Sequence, residues 1–224
     1  MGINIAIDGP AGAGKSTIAR RVAKELSFLY VDTGAMYRAI AYYCIQKGLS
    51  GSDGDRIGQQ IQEAQVTISH AEGEQMVFLN SENVTSFLRS EEVSHMASVV
   101  SAIPQVRRHL LALQQSLAAN HNVVMDGRDI GTTILPNAQL KIFLTANPAT
   151  RAKRRYQELI NKGVSCSEEE ILKEMTERDE RDSGREASPL CQAEDAVLVD
   201  TSDLSIDEVT ERIIALYREK MKRS

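Results

Sequence analysis

Tryptophan is absent from this 224-residue chain, and aromatic residues together make up only 4% of it. Single-strand nucleic-acid binders stack bases on aromatic platforms, so this scarcity counts against that class. A basic excess is missing too: 26 lysines and arginines face 31 aspartates and glutamates, a formal net charge of −5. Proteins that track a phosphate polymer ordinarily carry the opposite balance. Cysteine is sparse, with Cys44, Cys166 and Cys191 far apart and at no metal-ligand spacing. They read as reduced structural thiols in a cytosolic protein. No apolar run approaches the roughly 20 residues that span a bilayer, and no signal-peptide pattern precedes the first strand. The four histidines (His70, His95, His109 and His121) are scattered without a partner at metal or triad spacing, so they read as packed or surface side chains.

What is present is more specific. Gly9-Pro10-Ala11-Gly12-Ala13-Gly14-Lys15-Ser16 fits G-x-x-x-x-G-K-[ST] at every fixed position. It follows the apolar run Ile3 to Ile7 and precedes a helical pattern from Thr17 to Ala23. That strand–loop–helix context is the one in which backbone N–H groups cradle phosphates. The helix N-terminus adds unpaired donors and a positive dipole end. Lys15 then reaches the β- and γ-phosphates, and the Ser16 hydroxyl sits on Mg²⁺. A nucleoside triphosphate is the expected ligand.

Short apolar strands alternate with longer helical patterns along the chain. Strands are expected at 3–8, 28–31, 123–126, 140–144 and 197–200, with helices at 15–26, 35–47, 147–161 and 206–221. Asn147-Pro148 supplies an N-cap and first helical position. The near-continuous hydrophobicity of the strands predicts a parallel sheet covered on both faces. The expected fold is therefore α/β, a three-layer P-loop core. One stretch breaks the rhythm. Val66–Ser69 and Met76–Leu79 flank Glu72-Gly73-Glu74 and read as an antiparallel hairpin, with Asn83-Val84-Thr85 beyond it. Two helices follow, about 91–101 and 104–119. The reading is a single domain with its core at about 1–60 and 120–224 and an insertion at about 61–119. A charged segment ending at Ser183-Gly184-Arg185 reads as a lid, spanning about 150–190.

Basic residues cluster locally despite the acidic balance. Asp126 closes a short apolar strand, where P-loop proteins keep an acid near Mg²⁺, and Gly127-Arg128-Asp129-Ile130-Gly131-Thr132 follows at once. Open α/β sheets bind ligands at that carboxyl end. Arg38 lies one turn into the helix after Asp32-Thr33-Gly34, placed to grip a phosphate or to remain a solvated helix arginine. Arg178, Arg181 and Arg185, at i, i+3 and i+7, share one face of a continuous helix, either as a salt-bridged surface or as a clamp on a transferring phosphoryl group. Arg151 and Arg155 are further candidates for the ATP side. No general base is apparent, which suits an acceptor that is already a phosphate dianion.

Taken in order, the P-loop, Asp32-Thr33-Gly34-Ala35-Met36-Tyr37-Arg38, Asp126 to Thr132, and Arg178-Asp179-Glu180-Arg181-Asp182 closely resemble the bacterial cytidylate kinase family. The resemblance runs from Ile3 to the last helix, and the segment at 66–88 is similar to the extension that bacterial members carry in their monophosphate-binding region. The family moves the γ-phosphoryl of ATP onto CMP or dCMP. The resemblance implies that Gly9 to Thr17 form the ATP phosphate cradle. It implies that Arg38, Arg128 and Arg185 hold the CMP phosphate and the transferring group, with Thr33 at a substrate position where a serine is also common. Ser98, Arg107 and Asp129 match positions that recognise cytosine, and Arg178 and Asp182 match those contacting the sugar hydroxyls. Lys15, Arg128, Arg178 and Arg185 are the expected catalytic residues, Ser16 and Asp126 the metal residues, and ATP with Mg²⁺ the donor pair. The expected partners are small nucleotides, with no nucleic acid and no membrane, and a monomer suffices. Other acceptors (UMP, AMP or a small alcohol) are the nearest alternatives. A GTP-binding switch is a further one, but it lacks an N-K-x-D motif here and has no use for so many arginines.

Overall fold

Ile5, Ala6 and Ile7 are all fully buried, as a strand covered on both faces requires. In the computed structural model, which describes residues 2–71, 73–161 and 163–223, they belong to β1 (Asn4–Asp8), the middle of a five-stranded sheet. Its neighbours are β6 (Val123–Gly127) and β7 (Leu140–Thr145), with β2 (Leu29–Asp32) and β8 (Val197–Asp200) at the edges. The order is β2-β6-β1-β7-β8, and every pairing is parallel. Antiparallel strands β3 (Val66–Ala71), β4 (Glu74–Leu79) and β5 (Glu82–Asn83) form a separate small sheet. Of the turn expected between β3 and β4, Glu72 lies outside the described residues.

Side chains alternate across the main sheet into two cores. Ile5, Ile7, Val124, Ile142 and Val199 pack against α1 (Lys15–Leu26) and α8 (Ile206–Arg223). Ala6, Val31, Val123 and Met125 face α2 (Thr33–Gln46), with α4 (Glu91–Val100) and α5 (Pro104–Asn120) beyond. Burying each such Ile or Val is worth about 1.5–3 kcal/mol. The short helix α3 (Gly54–Gln60) was not expected from the sequence, since only Ile57 of its seven residues is buried. A third cluster joins Ala152 of α6 (Pro148–Asn161) to Ile171 and Met175 of α7 (Glu168–Gly184), with Ala11 of the glycine-rich loop against it.

Two boundaries move for physical reasons. The helix expected at 35–47 begins at Thr33, because the Asp32 side chain caps it by accepting from Ala35 N at 2.9 Å. The expected arginine stripe is broken because α7 ends at Gly184. Arg178 and Arg185 point inward with Asp182, whereas Arg181 is exposed at the rim. No described helix is long and apolar enough to cross a membrane.

Candidate active site

Four strands of the main sheet end in a polar or charged residue, and the fifth, β6, carries one just before its terminal glycine. The carboxyl ends of β1, β2 and β6 carry Asp8, Asp32 and Asp126-Gly127, while β7 and β8 end at Thr145 and Asp200. An open parallel sheet forms its ligand crevice along this edge.

The glycine-rich loop springs from β1 at Gly9, where φ is +147°. A Cβ there would lie 1.9 Å from the Leu144 carbonyl oxygen, so the position tolerates no side chain. Gly14 (φ +89°) caps α1 without a side-chain bond, which leaves the helix N-terminal N–H groups to the loop. Lys15 is buried and its Nζ donates to Pro10 O at 2.7 Å, folding the ammonium over the loop. Arg151 braces the outer side, donating to Ala11 O at 2.9 Å, Asp179 Oδ2 at 2.6 Å and Ala146 O at 3.0 Å. Asp179 in turn accepts from Ala11 N at 3.4 Å. Arg155, the other arginine expected on this side, pairs instead with Glu158 of its own helix at 2.9 Å.

Behind the loop, Ser16 Oγ donates to Asp126 Oδ2 at 2.8 Å, and Tyr30 Oη donates to Asp126 Oδ1 at 3.0 Å. Thr33 Oγ1 donates to the Asp126 carbonyl at 2.8 Å, so that hydroxyl holds β6 to α2. A hydroxyl and a carboxylate side by side are hard-oxygen donors of the kind that suits Mg²⁺. Burial, reinforced by Asp32, raises the Asp126 carboxyl to about 6. Lys15 offsets this only in part, and a further cation beside the carboxylate would restore its charge.

A second group of charged side chains converges from several elements. The buried Arg107 of α5 pairs through Nη2 with Asp129 Oδ2 and donates through Nη1 to Ser101 O at 3.1 Å. Its guanidinium lies 5.5 Å from the Tyr37 ring centroid. Asp129 Oδ1 faces Arg185 Nη2 at 3.7 Å, and Arg185 Nη1 lies 3.8 Å from Asp182 Oδ1. Arg128 Nε donates to Asp182 Oδ2 at 2.9 Å. On the next strand end, Arg38 Nη2 pairs with Asp32 Oδ2 at 2.8 Å. Between α4 and α7 lies a cleft of about 650 Å³, lined among others by Ser98, Ser101, Asp182 and Arg185.

Orphaned polar atoms lie on the cleft's lining residues Ser98 and Arg185 and among the charged side chains beside it. Arg38 Nε, Ser98 Oγ, Arg178 Nε and Arg185 Nη2 are buried with no hydrogen-bond partner. Four such atoms around one crevice are unusual in a folded protein, where buried donors are almost always paired. They are available to a polar, anionic ligand. The electrostatics agree. Burial, then Arg128, pulls Arg178 down to about 10. Burial with the same Arg128 pushes Lys15 well below its ordinary range. Burial would raise Asp182, but Arg128 and Arg178 outweigh it and hold the carboxyl low. The cations crowd one another, and a phosphate would relieve them.

Two residues not anticipated from sequence complete the frame. Asp8 accepts from Ile130 N at 2.8 Å and Gly131 N at 2.7 Å, tying the turn after Asp129 to the root of the loop. Gln75 of the small sheet bonds both backbone polar groups of Asp32. No local pattern signals either contact.

Comparison with known proteins follows the same line. A family model described as "Cytidylate kinase" matches residues 5–219. A protein named cytidylate kinase from Geobacillus sp. (strain WCH70) is 48% identical over 219 residues, covering 98% of each chain. One of the same name from Ligilactobacillus salivarius is 50% identical over 218 residues, covering 97% of each. A solved structure of an uncharacterised protein from Eubacterium ventriosum, 14% identical, superposes with a TM-score of 0.50 over 96% of this chain and 98% of its own. That last likeness concerns the fold alone.

Proposed function

This chain belongs to the cytidylate kinase family, and from that premise we propose that it transfers the γ-phosphoryl group of ATP to CMP or dCMP, giving ADP and CDP or dCDP. The observation that carries the reading is the buried corner where Arg107, Asp129 and the unpartnered Ser98 Oγ meet beside Arg185. Arg107 holds Asp129 Oδ2 and leaves Oδ1 to accept from an exocyclic amine. Cytosine presents that amine where uracil presents an oxygen, which would face the carboxylate unpaired. Ser98 Oγ supplies a further hydrogen-bonding group to the ring edge. Asp182 and Arg178 lie beside the cleft for the sugar, and Arg38, Arg128 and Arg185 for the acceptor phosphate.

On the donor side the loop N–H groups and Lys15 bind the ATP phosphates, with Arg151 holding the loop in shape. Ser16 and Asp126 are the residues that would hold Mg²⁺, which when bound neutralises charge on the donor phosphates. The acceptor oxygen belongs to a phosphate and needs no base. Catalysis therefore rests on alignment and on cations placed where charge develops, in a crevice that α7 borders. The protein is read as a cytosolic enzyme of pyrimidine nucleotide metabolism that works as a monomer on small nucleotides. The test is chromatographic: incubation with ATP, Mg²⁺ and CMP should convert CMP to CDP in equal amount to the ADP formed. ADP formation that does not depend on CMP would refute the reading.

A further inference from the structure

Strand β2 is an edge strand, and edges leave a row of unpaired backbone groups. Here the outward groups at its carboxyl end are capped by two side chains of the small sheet. His70 Nε2 bonds Tyr30 O at 2.8 Å. Gln75 Oε1 accepts from Asp32 N at 2.9 Å, while Gln75 Nε2 donates to Asp32 O at 3.1 Å. The two capping residues are direct cross-strand partners, His70 on β3 opposite Gln75 on β4. Gln75 is buried although it sits at the start of its strand. Its primary amide mimics a peptide unit and adds one rung to the β2 ladder. Next to it, Glu74 forms an ion pair with Arg20 of α1, so the hairpin grips the core on two sides.

The residue so held is the hub of the acceptor subsite. Asp32 caps α2 through Ala35 N and pairs with Arg38 Nη2 at 2.8 Å. Arg38 keeps its buried Nε free of partners. We propose that Gln75 is a positioning residue for the acceptor phosphate, acting through the Asp32 main chain to set the direction of the Arg38 guanidinium. The small sheet is thereby a strut for the acceptor half of the site. Gln75 itself bonds Asp32 and makes no hydrogen bond to the donor loop, which springs from β1. This inference rests on the proposed role of Arg38 in holding the CMP phosphate.

The experiment is a double-mutant cycle of Gln75→Ala and Arg38→Ala, with KM for CMP, KM for ATP and kcat measured for each protein. Gln75→Ala should raise KM for CMP about 5- to 30-fold, the loss of a well-aligned charged contact, and leave KM for ATP within about twofold. In the Arg38→Ala background, Gln75→Ala should add almost nothing, because neighbours acting through one group are non-additive. Gln75→Leu, which keeps bulk without either bond, repeats the measurement if the alanine variant melts early. Equal rises in both KM values, or full additivity with Arg38→Ala, would overturn the positioning role. If Arg38→Ala itself leaves KM for CMP unchanged, the underlying reading of Arg38 fails instead, and the inference falls with it.

Discussion

Arg128 Nε donates to Asp182 Oδ2 over 2.9 Å, and this bond joins the loop after β6 to the inward face of α7. Asp182 also lies 3.8 Å from Arg185, so one carboxylate sets the direction of the two arginines proposed to hold the acceptor phosphate. Replacing Asp182 by Ala should therefore raise KM for CMP about 10- to 100-fold while ATP is affected far less. Steady-state kinetics with each substrate varied checks this. Equal losses for both nucleotides would contradict the assignment.

Lys15 has a different signature. Its Nζ makes one hydrogen bond, to Pro10 O, among the described residues, so its removal unpairs a single loop carbonyl. Lys15→Ala should lower kcat about 10²- to 10³-fold, as removal of a preorganised charge does, with an unchanged far-ultraviolet dichroism spectrum. Near-normal turnover in a folded variant would remove Lys15 from the chemistry.

Ser98 offers a test that separates function from stability. Its Oγ is buried without a partner, so the free protein carries the cost of an unpaired hydroxyl. Ser98→Ala should leave the melting temperature unchanged or raise it by a few degrees, for relief of about 1 kcal/mol. The same change should raise KM for CMP roughly 10-fold. A variant that is less stable and binds CMP normally would show that the hydroxyl serves the fold.

Asp8 gives a pH dependence with a definite sign. Burial, outweighing the Gly131 and Ile130 N–H groups, raises its carboxyl from 3.8 to about 6. Between those values the folded protein keeps a proton that the unfolded chain has released. Stability therefore declines as pH rises through that window, by an amount on the order of 3 kcal/mol for this one group. Asp126, raised likewise to about 6, adds a second decline over the same range. Asp8→Asn cannot ionise, so its melting temperature relative to the parent should climb between pH 4 and pH 7. A difference that stays flat across that range would contradict the assignment of the shift to Asp8.

Much of this site can be read before the fold is known, because its parts are contiguous. The loop from Gly9 to Ser16 needs only its local strand and helix, and Asp126 to Asp129 follow a strand end directly. The Asn147 cap of α6 was legible for the same reason, and Thr150 N does bond Asn147 Oδ1 at 2.8 Å. What was hidden depends on distant segments meeting. Asp8 is 122 residues from the Ile130 N–H it holds, and Gln75 acts only because β2 happens to be an edge. Spacing along a helix shows that Arg178, Arg181 and Arg185 share a stripe but not how deep each lies, and Arg181 lines the cleft from its exposed rim. Helix α3 carries too little apolar surface, with Gly54 and Gly58 in its seven residues, to declare itself.

The most direct test of the central claim is acceptor discrimination by the intact protein. ADP release would be followed with Mg²⁺ and ATP while CMP, dCMP, UMP and AMP are each varied. The corner of Ser98, Arg107 and Asp129 predicts kcat/KM for CMP and dCMP at least about 10- to 100-fold above that for UMP or AMP. Equal use of UMP or AMP would contradict the cytosine reading, and no acceptor-dependent release at all would contradict the phosphotransfer itself.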